Sequence, residues 1–361
     1  SNSNKIVIIY RDGGNGNFGT AIVGTVDSSD NSISFGTPVV FSPTGGAGLG
    51  VELAVTFDSN SNKVVVAYVD GAASDIGKAI VGTVDSSDNS ISFGTAVTFE
   101  NANITSSETI GLVFDSNSNK VVISYRDNGN SQYGTAIVGT VSGTGISFGS
   151  PVVFLSATNS FIASTFDSTN NKVIIAYKDG GNSNNGTAIV GTVSGTGISF
   201  GSAATFDTST STDSITATFD SSNNKVFLAY QDGGNSNYGT AVIGTVSGTS
   251  ISFGSEVVYN SGNSVSKDAT FDTNNNKVVL VFLDHGNSRG QVILGTVSGT
   301  GVSFSSATTY DEDQVLYSQA VFDSSTNKLL IAYRDDGNSS YGTARVFAPA
   351  IPTNITSENF I

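Results

Sequence analysis

Seven aspartates in this sequence each precede a loop rich in glycine and asparagine: Asp12, Asp70, Asp127, Asp179, Asp232, Asp284 and Asp335. In residues 179–186, Asp-Gly-Gly-Asn-Ser-Asn-Asn-Gly, the side-chain oxygens alternate somewhat like those of a calcium loop. Calcium takes six to eight oxygen ligands, usually with several carboxylates, whereas these loops are built around one. The favoured reading is an Asx turn, in which the carboxylate bonds the main chain that follows it. Calcium at Asp12, Asp127, Asp179, Asp232 or Asp335 is the alternative. A second set, Asp58, Asp115, Asp167, Asp220, Asp272 and Asp323, precedes a repeated Asn-Lys pair. These carboxylates are expected to hold turns, by accepting backbone N–H groups or by pairing with the lysine.

Other reactive groups are scarce. There is no cysteine, which excludes disulfides, thiolate metal sites and cysteine nucleophiles. The one histidine, His285, lies in Asp284-His285-Gly-Asn-Ser-Arg289-Gly, a loop that departs from its counterparts. Histidine catalysis needs a partner within hydrogen-bond reach, and no partner is apparent in the neighbouring sequence. For His285 simple drift is the favoured reading; a binding contact, shared with Arg289, is the functional alternative and ranks ahead of catalysis. Sialidase-like propellers need an arginine cluster and tryptophan-ended Asp boxes; this chain has five arginines and no tryptophan. An enzyme is not expected, and no cofactor is called for.

Aromatic residues offer a different chemistry. Phe18, Tyr133, Tyr238 and Tyr341 occupy equivalent places, with Ile76 and Asn185 in two other copies. Rings set among Asn, Asp and Gly suit stacking on sugars with hydrogen bonding around them. The favoured reading is that they cover the edge of the neighbouring repeat, with stacking as the alternative. Phe161 and Tyr317 are further candidates in stretches that vary between copies.

The elements that position these residues follow from the repeat. Asn-Lys followed by mostly apolar residues recurs with lysine at 5, 63, 120, 172, 225, 277 and 328, a spacing of 51 to 58 residues. Residues 21–37 match 79–95, and 135–150 match 187–202, without a single difference. Copies of about 50 residues made of short β-branched runs and Gly/Asn/Ser turns predict an all-β, seven-bladed β-propeller with four-stranded blades. In one copy the strands read 213–219 (A, innermost), 225–230 (B), 240–246 (C) and 251–259 (D). The A-to-B turns are near copies. The D-to-A stretches 42–52, 101–109, 155–160, 207–213 and 311–317 share almost nothing, so specialised function is expected on their face.

Residues 1–348 form the propeller and 349–361 a tail. By this count two strands are missing, and closure is expected to use both chain ends: residues 354–361 for one strand, and for the other residues 1–4 or sequence outside the excerpt, unless that strand is absent.

Composition bounds the partners. With 15 Lys+Arg against 30 Asp+Glu the formal charge is −15, which excludes holding nucleic acid or anionic lipid by electrostatics. No apolar run is long enough for a membrane-spanning helix, and no leader pattern of basic then apolar residues is present. With no methionine, even at position 1, the chain reads as a piece of something longer.

The repeat, best seen in residues 224–255 (NKVFLAYQDGGNSNYGTAVIGTVSGTSISFGS), resembles propeller-like repeats in virion proteins of marine tailed bacteriophages, especially those of cyanobacteria. Residues 353–361 look like the start of a short repeat segment that often follows such propellers. The resemblance implies an extracellular, particle-borne protein. It is expected to bind a host surface glycan or protein receptor, or else to act structurally against other virion or appendage subunits. No catalytic residues carry over from it.

Overall fold

A computed structural model describes residues 5–43, 49–104, 110–209, 211–348 and 356–360. The expected all-β character holds. Among these residues the regular structure is strand apart from four three-residue 3-10 turns, and no helix is long and apolar enough to cross a membrane.

Each of the seven copies builds an antiparallel sheet in a propeller-like arrangement. The B strands run from the repeated lysine to the loop aspartate: Lys5–Asp12, Lys63–Asp70, Lys120–Asp127, Lys172–Asp179, Lys225–Asp232, Lys277–Asp284 and Lys328–Asp335. Each pairs with a C strand, as in Tyr125↔Thr135 and Tyr230↔Thr240. The predicted D strand is broken. Residues 251–259 divide into Ser250–Phe253 and the start of Val257–Asp272, both paired with the same C strand.

Two variable stretches expected to be loops are strand. Val152–Asp167 and Val257–Asp272 each leave one sheet as its outermost strand and enter the next as its innermost, joining sheets into nine-stranded units. Parts of the other variable stretches, 44–48, 105–109 and 210, lie outside the described residues, as do 1–4. The tail contributes Thr356–Phe360, which pairs with the C strand Tyr341–Phe347 and so takes the D position of the last sheet. No described strand takes the A position in the first sheet, and among the described residues no sheet closes on itself through hydrogen bonds.

Both faces of the sheets are apolar, so the core lies between them. Seven clusters of buried side chains each draw on two sheets. Six join sequential neighbours; the seventh unites Ile6, Ile8 and Ile22 of the first sheet with Leu330, Ala344 and Val346 of the last. Within the clusters a D-strand ring meets the B-strand ring of the next sheet: Phe99 on Tyr125, Phe154 on Tyr177, Phe206 on Tyr230 and Tyr310 on Tyr333, with centroids 5.2–5.3 Å apart. The D ring lies over a C-strand glycine, and a Cβ at Gly134 would be 2.5 Å from Phe154.

Turn chemistry follows expectation in part. Asp58 Oδ1 accepts the N–H groups of Asn60 and Ser61 at 2.9 and 3.0 Å, and Asp115 repeats this with Asn117 and Ser118. The lysines are not the partners. Lys63 and Lys277 instead donate to Thr83 and Thr296 of their own C strands. Lys5 also reaches Asn89 of the second sheet, and Lys328 likewise reaches Asn31 of the first.

Two outcomes test this packing. Gly134→Ala must displace the Phe154 ring and is expected to cost about 1–3 kcal/mol, whereas Gly13→Ala, with nothing within 4 Å, leaves the melting temperature unchanged. Burial pushes the Tyr68 hydroxyl up to about 12 and raises those of Tyr125, Tyr177, Tyr230 and Tyr333. Above pH 10 the unfolded chain therefore releases phenolic protons that the fold retains, and stability falls. Thermal unfolding followed across pH 8–12 should be flat below about pH 10 and drop steeply above it.

Candidate functional site

The loop aspartates act mainly on their own backbone. Asp12 Oδ1 accepts the N–H groups of Gly14 and Asn15 at 3.0 and 3.1 Å, and Asp232 accepts those of Gly234 and Asn235 at the same distances. Asp127, Asp179 and Asp335 accept from Asn130, Gly181 and Asn338. These are Asx-type bonds holding a tight turn. The second copy differs: Asp70 pairs with Lys78 at 2.5 Å. One group of three carboxylates stands out among the described residues. Oxygens of Asp311, Asp313 and Asp335 lie within 4.8 Å of one another. Asp311 is already engaged by Tyr333 Oη at 2.7 Å and by Arg345 at 3.0 Å.

The aromatic candidates fall into two groups. Phe18, Tyr133, Tyr238 and Tyr341 each begin a C strand, directly opposite the loop aspartate of their sheet. They stand on the first, third, fifth and seventh sheets, so they are equivalent positions and not one assembled cluster. Three are half-buried; Tyr341 is 48% exposed. Ile76 and Asn185 hold this place in the second and fourth sheets. In the sixth sheet the place belongs to Arg289, opposite Asp284. The sequence hid that equivalence because the loop there is one residue shorter.

Phe161 and Tyr317 are not in loops. Both sit in bulges of A strands, where the register with the B strand shifts, and both have left-handed backbone, with φ of 53° and 56°. That conformation is uncommon for a bulky side chain and turns it out of the strand's alternation. Each ring meets a cation from the penultimate position of the adjacent B strand: Lys178 at 5.6 Å from Phe161 and Arg334 at 5.7 Å from Tyr317. Matching the bulge residue with the B-strand penultimate residue would have found these pairs, but the bulge itself has no sequence mark.

The last two sheets concentrate what the other sheets scatter. Arg289 Nε pairs with Glu312 at 2.9 Å. Arg334 Nε bonds Asp336 at 2.8 Å while its guanidinium lies over Tyr317, which is 59% exposed. Arg334 holds the Asp336 carboxyl below its ordinary range. Ser288, Glu312, Asp313, Gln314, Asp336 and Gly337 line an open recess of about 300 Å³ beside them. His285 is exposed on the adjoining loop, tied by its backbone N–H to Asn263. The arrangement offers hydrogen-bonding oxygens on the recess wall and a stacking face next to them. Ser340 Oγ also donates to Asp336 Oδ1 at 3.1 Å.

No protein-family model matches the sequence, and no curated protein matches it. Solved structures do. A lectin, SapL1, solved with α-methyl fucoside, is 14% identical, with a TM-score of 0.52 over 87% of this chain and 96% of that one. AofleA from Arthrobotrys oligospora is 11% identical, with a TM-score of 0.54 over 86% of each chain. A Bacteroides uniformis protein provisionally assigned as a 6-phosphogluconolactonase is 9% identical, with a TM-score of 0.63 over 99% of this chain and 96% of that one. At these identities the likeness is one of fold.

Asp179→Ala removes a cap and should lower stability by about 1 kcal/mol, equally with and without EDTA. A melting temperature that falls by about 10 °C in EDTA would instead support calcium in these loops. Arg289→Ala breaks an exposed ion pair and should change stability by less than about 1 kcal/mol.

Proposed function

We propose that this protein is a non-catalytic carbohydrate-binding module whose seven sheets form one seven-bladed ring. The ring reading is supported by the cluster uniting Ile6, Ile8 and Ile22 with Leu330, Ala344 and Val346. It is supported too by the Lys328–Asn31 bond, which repeats between last and first sheets what Lys5–Asn89 does between first and second. On this reading the ring closes by side-chain packing, and the tail strand completes the last blade.

The observation that carries the functional reading is the polar recess joined through Asp336 and Arg334 to the exposed ring of Tyr317. Sugars present hydroxyls that bond carboxylates and amides, and C–H faces that stack on aromatic rings. Glu312, Asp313, Gln314 and Asp336 supply the first kind of contact and Tyr317 the second, with Tyr341 as a further exposed ring on the same sheet. The fold shared with a fucoside-binding lectin is compatible with this use; the fold shared with a protein assigned to hydrolysis shows that fold alone does not decide it. Following the phage-like repeat, we place the module on a virion fibre or similar extracellular appendage, where many weak sites act together on a host surface glycan.

A purely structural role would be favoured by a continuous apolar rim. Val40, Val153 and Val258 are exposed on D strands of the first, third and fifth sheets. Thr98 and Thr205 take the same register on the sheets between, which interrupts such a rim.

The test is binding of the purified protein to a glycan array that includes fucosides, followed by titration of the best ligand. Tyr317→Ala and Asp336→Asn should each weaken that ligand at least about tenfold with an unchanged melting temperature. Full binding by both folded variants would refute the recess as the site, and no binding to any glycan would refute the carbohydrate reading.

A further inference from the structure

Three polar side chains meet in the space between the third and fourth sheets without bonding one another. Asn159, opposite the loop aspartate Asp179, is 2% exposed, and neither its Oδ1 nor its Nδ2 has a hydrogen-bond partner. Tyr177, at 0% exposure, has none for its Oη. Arg126 of the third sheet is half-buried; its Nε donates to Asn128 Oδ1 at 3.1 Å, and it pairs with no carboxylate among the described residues. Burial lowers its pKa, with no neighbouring charge to offset that. All three belong to one place. Arg126 lies directly opposite Gly134, on the same face of its sheet. A Cβ on Gly134 would be 2.8 Å from Asn159 Nδ2 and 2.5 Å from the Phe154 ring. That ring in turn meets Tyr177, with centroids 5.2 Å apart.

The D-strand residue opposite this C-strand glycine explains the difference from other sheets. It is Glu100 in the second sheet, Asp207 in the fourth and Asp311 in the sixth. Each carboxylate accepts from the sheet that follows: Glu100 from Tyr125 Oη at 3.0 Å, Asp207 from Thr212 Oγ1 at 2.6 Å, Asp311 from Tyr333 Oη at 2.7 Å. Thr212 is the counterpart of Asn159, since each stands opposite its loop aspartate. Ser42 and Asn260 hold the D-strand position in the first and fifth sheets. In the third sheet it is Leu155, which accepts nothing. Asp179 faces the same space, but it does not bar a second carboxylate. Asp127 stands near Glu100, Asp232 near Asp207 and Asp335 near Asp311. The fold therefore holds a carboxylate at this position three times over.

We infer that the space over Gly134 is a binding site for a carboxylate from outside the chain, free or borne by an acidic sugar. Arg126 supplies the positive charge, and its terminal amino groups form the fork that matches a carboxylate at two points. Asn159 Nδ2 and Tyr177 Oη supply two further donors, and neither has a hydrogen bond to give up. Pairing them recovers interactions that burial otherwise leaves unmade. Entry is beside Leu155, which is half-buried at the start of a connection whose Ser156 and Thr158 are exposed. The site is separate from the recess on the last two sheets and stands or falls without it.

The experiment follows thermal unfolding of the 361-residue protein in sodium acetate, sodium glucuronate or glucose at constant ionic strength. Both carboxylates should raise the melting temperature by about 2 °C or more, saturating with concentration, while glucose does not. A similar response to both identifies a free carboxylate as the ligand. Glucuronate acting at a concentration at least about tenfold lower identifies an acidic sugar. Arg126→Gln, at a half-buried side chain, should abolish the response in a folded protein. Leu155→Glu should place a carboxylate in the site from within, as Glu100 does one sheet earlier. That variant should melt higher without ligand and respond to neither salt. No response to either carboxylate, an equal response to glucose, or a response that survives either substitution in a folded variant would overturn the inference. So would a crystal structure in glucuronate with only water over Gly134.

Discussion

The structure depends on a ring-on-ring contact that reaches from each sheet to the next. A D-strand aromatic packs against a glycine of its own C strand and meets the tyrosine or phenylalanine of the following B strand in a tilted or edge-on contact. Such contacts add about 0.5–1.5 kcal/mol each beyond the area they bury. Their structural effect exceeds that sum, because the two partners belong to different sheets. A sheet whose faces are both apolar has no independent stability in water, so each needs its neighbours on both sides. The glycine is what allows the approach. A methyl group there would occupy the space of the ring.

This constraint explains why the repeated positions are so alike and the D-to-A connections so different. Residues in the C strand and at the D-strand ring must fit two sheets at once. The connections have only to cross from the outside of one sheet to the inside of the next. Val152–Asp167 does so as a single bent strand with a bulge at Phe161, and Thr212–Asp220 bulges at Ser214. The bulge frees one side chain from the pleat. Where that side chain is aromatic and the neighbouring B strand ends in a cation, a compact stacked pair results, as with Phe161 and Lys178 or Tyr317 and Arg334.

The aspartates show one residue type doing several jobs according to its surroundings. Asp58, Asp115 and Asp220 close the turns on one face by accepting two successive N–H groups. Asp12 and Asp232 do the same on the other face. Asp70 meets a lysine instead, and Asp336 an arginine. An acidic net charge spread through such caps is therefore largely a by-product of turn building. Glu312, in the acidic connection before Tyr317, and Asp336, in the loop that follows Asp335, are held by arginines rather than by backbone N–H groups.

The sequence by itself determined the all-β class, the number of repeats, the presence of B and C strands in the repeat and the turn role of both aspartate sets. Each of these depends on residues close together in the chain, where β-branched runs, Asx turns and spacing act locally. It also singled out His285, Arg289, Phe161, Tyr317 and the tail strand as departures worth attention. Only the tertiary structure decided what those departures meet. Arg289 and Glu312 are 23 positions apart and Tyr317 and Arg334 are 17 apart, and a bulge or a shortened loop shifts the register between them. Sequence periodicity cannot register such a shift, because one extra residue leaves no compositional trace yet redirects every side chain beside it. The equivalent aromatics Phe18, Tyr133 and Tyr238 illustrate the converse: alike in sequence, they are kept apart because each belongs to a different sheet.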